Sequence, residues 1–488
     1  WKALWMELGV SPEGVDEFFT GPAYLAWHRM GNVKNLGGIM SQAYLDSQLE
    51  LNKKIVSRMN RIGIVPVLPT FAGFVPDEFV RNNPNLQFHK NACWGHFNNS
   101  YTCVYSLDPR ETNTYESIAH NFIEKQRELY GAEATHVYAG DPYNEIPPQH
   151  QNLSDIAETA KVISSGCKKG DDKCVWVLQA WQFLDWKEEA VRAFLSAVSI
   201  GDLLVLDLYA EYNPMHKVFK QFYGHYFVWC LLHNFGGNSQ LRGNLGEIGS
   251  DYDTARKEAA NLMGSGLTME GIYQNYVVYQ YFIDKTWTPG RLDPFDWIPG
   301  YVSARYGVAS PLALKAWSIL TATFYSQPHK YTDALRAEQK IDGQDIRRPI
   351  FLYFRPAFNG KIQYWFATAH IENMARYFTL LNRVYGQNPL FRQDYSDIMR
   401  EHLQYLIGNK AILRIYEGYG MGDMNVVRSG CSRMEQHFEE LDLVANTALS
   451  NWINAARSVA STADEAERFE QIATNQLTLW GPRGEVLD

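Results

Sequence analysis

A chain of 488 residues, 46% hydrophobic and 20% charged, has ordinary globular composition and is too long for one core, so two or three domains are expected. A formal net charge of −9 with no clustered basic stretch argues against binding a nucleic-acid backbone. The longest uninterrupted apolar run, 226–232, falls far short of the roughly 20 residues that span a bilayer, so no membrane partner is expected.

The opening Trp1-Lys2-Ala3-Leu4-Trp5 reads as the middle of a helix, as in a processed form or a fragment. Buried strands are expected at 64–69, 135–138, 174–179, 203–208 and 227–232, with helix-like stretches such as 111–130 and 154–165 between them. Most of these runs are continuously apolar rather than alternating, the pattern of parallel strands covered on both faces. Strand–helix units of this kind predict a (β/α) barrel or a doubly wound sheet. No GxGxxG follows a strand and no GxxxxGK[ST] occurs, so dinucleotide and P-loop readings lose their main support. Polar residues gather instead just after strands, at 140–145 and 233–238, where a barrel builds its active site.

A Pro-, Gly- and Trp-rich stretch at 286–300 changes the pattern. Beyond it, Ala367, Ile371, Met374, Phe378 and Leu381 fall on one helical face, as do Tyr395, Ile398, His402 and Tyr405. The last helical stretch is expected at 440–479. The chain thus divides into an α/β part, 1–290, and an all-α part, 291–488. About six strands are discernible in the first part, where a closed barrel takes eight. The first strand is expected to precede Trp1 and a further segment to follow Asp488. Because an open barrel exposes strand edges, these 488 residues alone are expected to be poorly soluble or inactive.

Cys167 and Cys174 flank a polar run that allows either a small disulfide loop or two free thiols. Cys93 and Cys103 flank the sequon at Asn98, and a second sequon begins at Asn152. Together these lean towards the secretory route. No Cys and His spacing resembles a zinc site and no HExxH is present, so no metal is expected.

Glycoside cleavage needs a proton donor at the leaving oxygen and a carboxylate near the anomeric carbon. Glu145 follows an apolar strand, is preceded by Asn144, and precedes Pro147 and Pro148, which stiffen the loop. Glu270 lies between Met269 and Gly271-Ile272, an uncommon setting for a carboxylate. Local context alone favours an ordinary surface or cap residue in both cases. Asp207 and Glu211, in and after the strand at 203–208, are alternatives.

Read together, the runs resemble the α-N-acetylglucosaminidases of glycoside hydrolase family 89, which include a lysosomal enzyme that degrades heparan sulfate. The matching stretches are 17–23, Arg29-Met30-Gly31-Asn32, 67–73, Trp94-Gly95-His96-Phe97-Asn98, Tyr143-Asn144-Glu145, 175–181, 204–208, 229–238, 269–275 and 476–482, in order along almost the whole chain. The resemblance implies a (β/α)8-type TIM barrel with its first strand missing, followed by a helical domain. It implies a retaining exo-glycosidase for terminal α-linked N-acetylglucosamine, with Glu270 as nucleophile and Glu145 as general acid/base. Asn144, Trp181, Trp229, His233 and Asn234 would line the sugar pocket. After the Arg29–Asn32 motif the family usually shows Trp before Gly-Gly-Pro and another Trp a few residues on; this chain has Leu36 before Gly37-Gly38, then Ile39, then Tyr44, which leaves the subsite wall at Tyr44 open. No cofactor is implied. The expected partner is a glycan with terminal α-GlcNAc, a homo-oligomer is compatible, and the expected location is lysosomal or secreted. A barrel glycosidase of other sugar preference and a non-catalytic carbohydrate binder are the competing readings.

Overall fold

The computed structural model describes the chain apart from residues 22–23, 37–38, 95–100, 147, 149–151, 235–240, 271–274, 289, 328–363, 445–448 and 479–488, and the side chains of 26 and 475–478. The sequon at Asn98 lies outside the described residues.

The apolar runs become strands of one sheet. In chain order the strands are β1 (Leu68–Pro69), β2 (Phe74–Val75), β3 (Phe88–Lys90), β4 (Tyr105–Leu107), β5 (Val137–Ala139), β6 (Val175–Gln179), β7 (Leu203–Leu208), β8 (Tyr226–Leu231) and β9 (Leu262–Leu267). Six of them are ordered β1-β5-β6-β7-β8-β9, and each neighbouring pair from β1 to β8 is parallel. Helices Leu153–Gly170, Glu188–Ser196 and Leu245–Glu258 make the crossovers β5–β6, β6–β7 and β8–β9. This is the repeating strand–helix unit of a (β/α) barrel, which parallel pairing requires because the chain must return before it can pair again. A separate antiparallel sheet, β2-β4-β3, is inserted between β1 and β5.

Several expectations need correction. The run 64–69 is not a buried strand. Only Leu68 and Pro69 pair, while Ile64, Val65 and Val67 are 48%, 60% and 50% exposed. β1 pairs with β5 alone, and Pro66 and Pro69 have no N–H to donate. The strand expected at 135–138 starts at Val137, because the Thr135 hydroxyl accepts the Val137 N–H (3.0 Å) and donates to the Pro66 carbonyl. β9 was not foreseen: Gly264, Ser265 and Gly266 interrupt its apolar pattern.

The helix Leu153–Gly170 extends beyond its expected span. The Asn152 side chain caps it by accepting the Asp155 N–H (2.9 Å), so the sequon residue is also an exposed N-cap. At its other end Gly170 lies against the helix Thr112–Tyr130, where an added Cβ would sit 2.7 Å from the Ile123 Cβ. Cys167 is disulfide-bonded to Cys174 and Cys93 to Cys103.

The chain forms two compact units: residues 1–230, 261–264 and 449–488 make one, and 231–260 with 265–448 the other. In the first unit the terminal helix Ala463–Thr478 buries Phe469 and Ile472 against Tyr24, Val33, Leu36 and Tyr44. Burial of one such side chain stabilises by about 1.5–3 kcal/mol. The helical stretch expected at 440–479 holds the end of Met424–Val444 and the helices Leu449–Ser458 and Ala463–Thr478. The break between the last two is capped at Thr462: its hydroxyl accepts the Glu465 N–H (3.2 Å), and the Glu465 carboxylate accepts the N–H of the preceding Ser461 (2.7 Å).

Among the described residues of the second unit, every named element from Tyr276 onward is a helix. The helix Ala369–Tyr385 buries Ile371, Met374, Phe378 and Leu381, the face expected, although Ala367 precedes it. The helix Pro389–Leu406 buries Ile398 and Tyr405 on the same face as three carboxylates, Asp394, Asp397 and Glu401. Asp394 accepts from the Arg305 guanidinium (2.7 and 2.9 Å) and the Tyr306 hydroxyl (2.8 Å), and Asp397 from Arg400 (2.6 Å). Glu401 accepts from the Leu241 N–H (3.3 Å) and the Tyr364 hydroxyl (3.1 Å). Burial pushes Asp397 up to about 6 and Glu401 up to about 7 against the pull of these donors. The folded protein therefore holds protons at these sites that the unfolded chain has lost. Their stabilisation is complete below the unfolded carboxylate range and disappears as pH rises through about 6–7. Thermal unfolding is expected at higher temperature at pH 5 than at pH 7.5, and Glu401→Gln, which keeps a neutral acceptor, should shrink that difference. An unchanged difference in the variant would remove Glu401 as a source.

Among the described residues no helix is long and apolar enough to cross a membrane.

Candidate active site

Glu145 lies in the loop that leaves β5. The loop is pinned first by Asp141, a buried carboxylate that accepts the Gln179 backbone N–H and side-chain amide (both 2.9 Å), tying it to the end of β6. Burial raises Asp141 to about 6, and the Gln179 donors oppose the shift. Asn144 is pinned next. The Asn32 side chain donates to the Asn144 carbonyl (2.8 Å) and accepts from the Asn144 side-chain amide (3.2 Å). Both residues are buried, so this pair of amides satisfies polar groups that water cannot reach.

Tyr143, Asn144 and Ile146 are buried, whereas Glu145 between them is exposed. Its φ of 53° is in the left-handed region, a costly conformation for a residue with a Cβ. A turn closed by the Ile146 N–H to the Tyr143 carbonyl (3.2 Å) holds it there. The carboxylate then meets two indoles: Trp94 Nε1 donates to Oε2 (2.6 Å) and Trp181 Nε1 to Oε1 (3.3 Å). Trp181 comes from the 3-10 turn directly after β6 and contacts Tyr209 directly after β7, with ring centroids 6.3 Å apart. Trp94 follows the disulfide-bonded Cys93, and its N–H donates to the Thr102 carbonyl (3.0 Å).

Glu270 follows β9. The Thr268 N–H donates to the Leu231 carbonyl and the Glu270 N–H to the Asn234 carbonyl (both 2.9 Å), so the chain carrying Glu270 is laced to the chain leaving β8. His233 has a φ of 55° and sits in a three-residue turn closed by the Asn234 N–H to the Leu232 carbonyl (2.6 Å). His233 and Asn234 are buried and the Glu270 side chain is exposed.

Some expected site residues fall elsewhere. Trp229 is 1% exposed within β8, in register with Asp207 on β7. Tyr44 is buried in the cluster with Phe469 against which Trp94 packs, so it backs the Glu145 clamp rather than facing solvent. Asp207 is fully buried and engaged with the Met215 and His216 N–H groups (3.1 and 3.2 Å) and the His216 ring (2.5 Å), which makes it a structural clasp. Glu211 is also buried. Trp94 and Asn32 were recognised only as parts of matching stretches, without a role. The neighbourhood of Cys93 was the one signal that Trp94 is rigidly held. Among the described residues no group of three or more His, Cys, Asp or Glu side chains converges as a set able to hold a metal ion.

The family model described as the alpha-N-acetylglucosaminidase (NAGLU) tim-barrel domain matches residues 1–289, and the model of the C-terminal domain of the same family matches 297–488. Human alpha-N-acetylglucosaminidase is 33% identical over 506 aligned residues, covering 100% of this chain and 65% of the human protein. The structure of a family 89 glycoside hydrolase from Clostridium perfringens in complex with PUGNAc matches with a TM-score of 0.86 at 24% identity, over 99% of this chain and 54% of that one. A form of the Clostridium perfringens protein with two Glu-to-Gln substitutions, in complex with its substrate GlcNAc-alpha-1,4-galactose, matches with a TM-score of 0.85 at 24% identity, over 99% of this chain and 54% of that one. These structural likenesses show the fold. The chain thus spans 65% of the length of the human relative and 54% of the Clostridium chains. With both domain models matched in order from one end to the other, this chain belongs to the alpha-N-acetylglucosaminidase family of glycoside hydrolases.

Proposed function

We propose that the protein removes terminal, non-reducing α-linked N-acetylglucosamine from glycans by double displacement, with Glu270 as nucleophile and Glu145 as general acid and then general base. Residues 1–290 would be the catalytic barrel and 291–488 the helical domain. The observation that carries the reading is the Glu145 carboxylate, exposed at the end of a parallel strand and held by one indole N–H on each oxygen. Such a carboxylate is oriented before substrate arrives, as a proton donor at a fixed bond must be.

The stereochemistry of the substrate supports a second carboxylate. In an α-linked N-acetylglucosaminide the 2-acetamido group is on the same face as the leaving oxygen and cannot attack the anomeric carbon from behind. The enzyme must supply the nucleophile. Glu270 attacks, the C1–O bond breaks, and the proton on Glu145 goes to the departing oxygen. Water then displaces Glu270 while Glu145 takes its proton, so the sugar leaves as the α-anomer. The two disulfides and the exposed sequon at Asn152 support a protein of the secretory route, in the lysosome or outside the cell; glycans such as heparan sulfate are the proposed substrates.

The test is a panel of aryl glycosides with the full-length protein, with the first-formed product followed by proton NMR. The aryl α-N-acetylglucosaminide should be the preferred substrate and the α-anomer of N-acetylglucosamine the first product. First release of the β-anomer would contradict double displacement, and preference for another sugar would replace the substrate assignment.

A further inference from the structure

We propose that Arg242 is a positioning residue for the Glu270 carboxylate, an inference that rests on the reading of Glu270 as nucleophile. Arg242 is 1% exposed, and its Nη2 donates to the His233 carbonyl at 2.5 Å. His233 is the centre of the turn at 232–234, and the next carbonyl in the chain, that of Asn234, is the acceptor of the Glu270 N–H. A three-residue turn with a non-glycine centre at positive φ is strained and persists only where its surroundings hold it. The guanidinium supplies that hold as a charged donor, stronger than a neutral one.

The backbone of Arg242 reaches the other side of Glu270. Its N–H donates to the side-chain oxygen of Asn275 (3.4 Å), the buried, left-handed N-cap of the helix Tyr276–Trp287. One residue is therefore bonded to the turn that anchors the Glu270 backbone and to the point where the chain resumes as helix beyond it. The position of Arg242 is itself fixed. At the following Gly243, φ is 150° and an added Cβ would lie 2.8 Å from the Val278 Cγ2 of that helix. The preceding Leu241 N–H is taken by the buried Glu401. Nothing in the composition of this segment singles out Arg242. It becomes visible only when the partners of its two nitrogen groups are traced.

Without the guanidinium the turn relaxes, the Asn234 carbonyl rotates, and the Glu270 backbone loses its acceptor. The Arg242 side chain is itself buried away from substrate, and His233 and Asn234, expected at the pocket, keep their side chains, so kcat should fall far more than sugar binding weakens. Displacement of a reacting group by about 1 Å costs on the order of 100-fold in rate.

The experiment compares Arg242→Met and Arg242→Lys with the wild-type full-length protein. It reads kcat and KM on the aryl α-N-acetylglucosaminide, competitive inhibition by N-acetylglucosamine, and melting temperature. Arg242→Met should lower kcat about 30- to 100-fold while KM and the inhibition constant stay within about threefold. Arg242→Lys, which keeps a cationic donor, should recover to within about tenfold of wild type. If Arg242→Met does not fold, Arg242→Lys is read alone, and a reduced kcat with unchanged inhibition supports the proposal. A kcat within about twofold of wild type in the folded variants overturns it, as does parallel loss of kcat and inhibitor binding with no recovery by Lys. Wild-type turnover that survives Glu270→Gln is a separate outcome, which overturns the nucleophile assignment and this inference with it.

Discussion

Glu270→Gln should reduce kcat on an aryl α-N-acetylglucosaminide by a factor on the order of 10⁴ or more, because the amide cannot form the glycosyl-enzyme bond. Substrate binding should persist, since Gln keeps the volume of Glu and the backbone bond from residue 270 to the Asn234 carbonyl does not involve the side chain. Glu270→Ala offers a sharper version. It opens room beside C1 on the face where the nucleophile stood, so added azide should restore turnover and yield the β-glycosyl azide. Restoration with an α product would place the nucleophile elsewhere. Normal hydrolysis by Glu270→Gln would end the assignment.

Glu145→Gln should have an effect that depends on the leaving group. A general acid contributes about 10²- to 10⁴-fold when the departing oxygen needs a proton and little when it leaves readily as an anion. Hydrolysis of a disaccharide with a sugar leaving group should therefore fall by that range. An activated dinitrophenyl glycoside should still form the glycosyl-enzyme, which then accumulates because no base remains to activate water. The expected signature is a burst of phenol followed by slow turnover, and azide, which needs no base, should speed the slow phase. In the Gln variant one of the two oxygens becomes an amide NH2, so only one of the Trp94 and Trp181 indole N–H groups keeps its acceptor and the variant keeps part of its local order. Equal loss on all leaving groups would argue that Glu145 binds sugar rather than moving protons.

Parts of this arrangement are legible in sequence because a local pattern specifies them. Residues 203–208 are continuously apolar except for Asp207 and form β7 over the whole run. The Ile371–Leu381 face repeats at helical spacing and is buried as a set. Other parts depend on partners distant in sequence. β9 contains two glycines and a serine, and only its place beside β8 makes it a strand. Trp94 reaches Glu145 across a separation of 51 residues. Asp207 read as a candidate catalyst because a carboxylate in an apolar strand is unusual, yet its burial is repaid by His216 and two backbone N–H groups nine residues away or less. Glu145 and Glu270 had no distinctive local context. Their assignment came from family resemblance, and the geometry adds the left-handed backbone and paired indoles at Glu145 and the backbone tether at Glu270.

The most direct test of the central claim is covalent trapping. A fluorinated N-acetylglucosaminyl fluoride of α configuration, which forms the glycosyl-enzyme faster than water clears it, should inactivate the full-length protein with one label per active site. Peptide mass spectrometry should place that label on Glu270. A label on Asp207, Glu211 or any other carboxylate, or inactivation with no covalent label, would contradict the account.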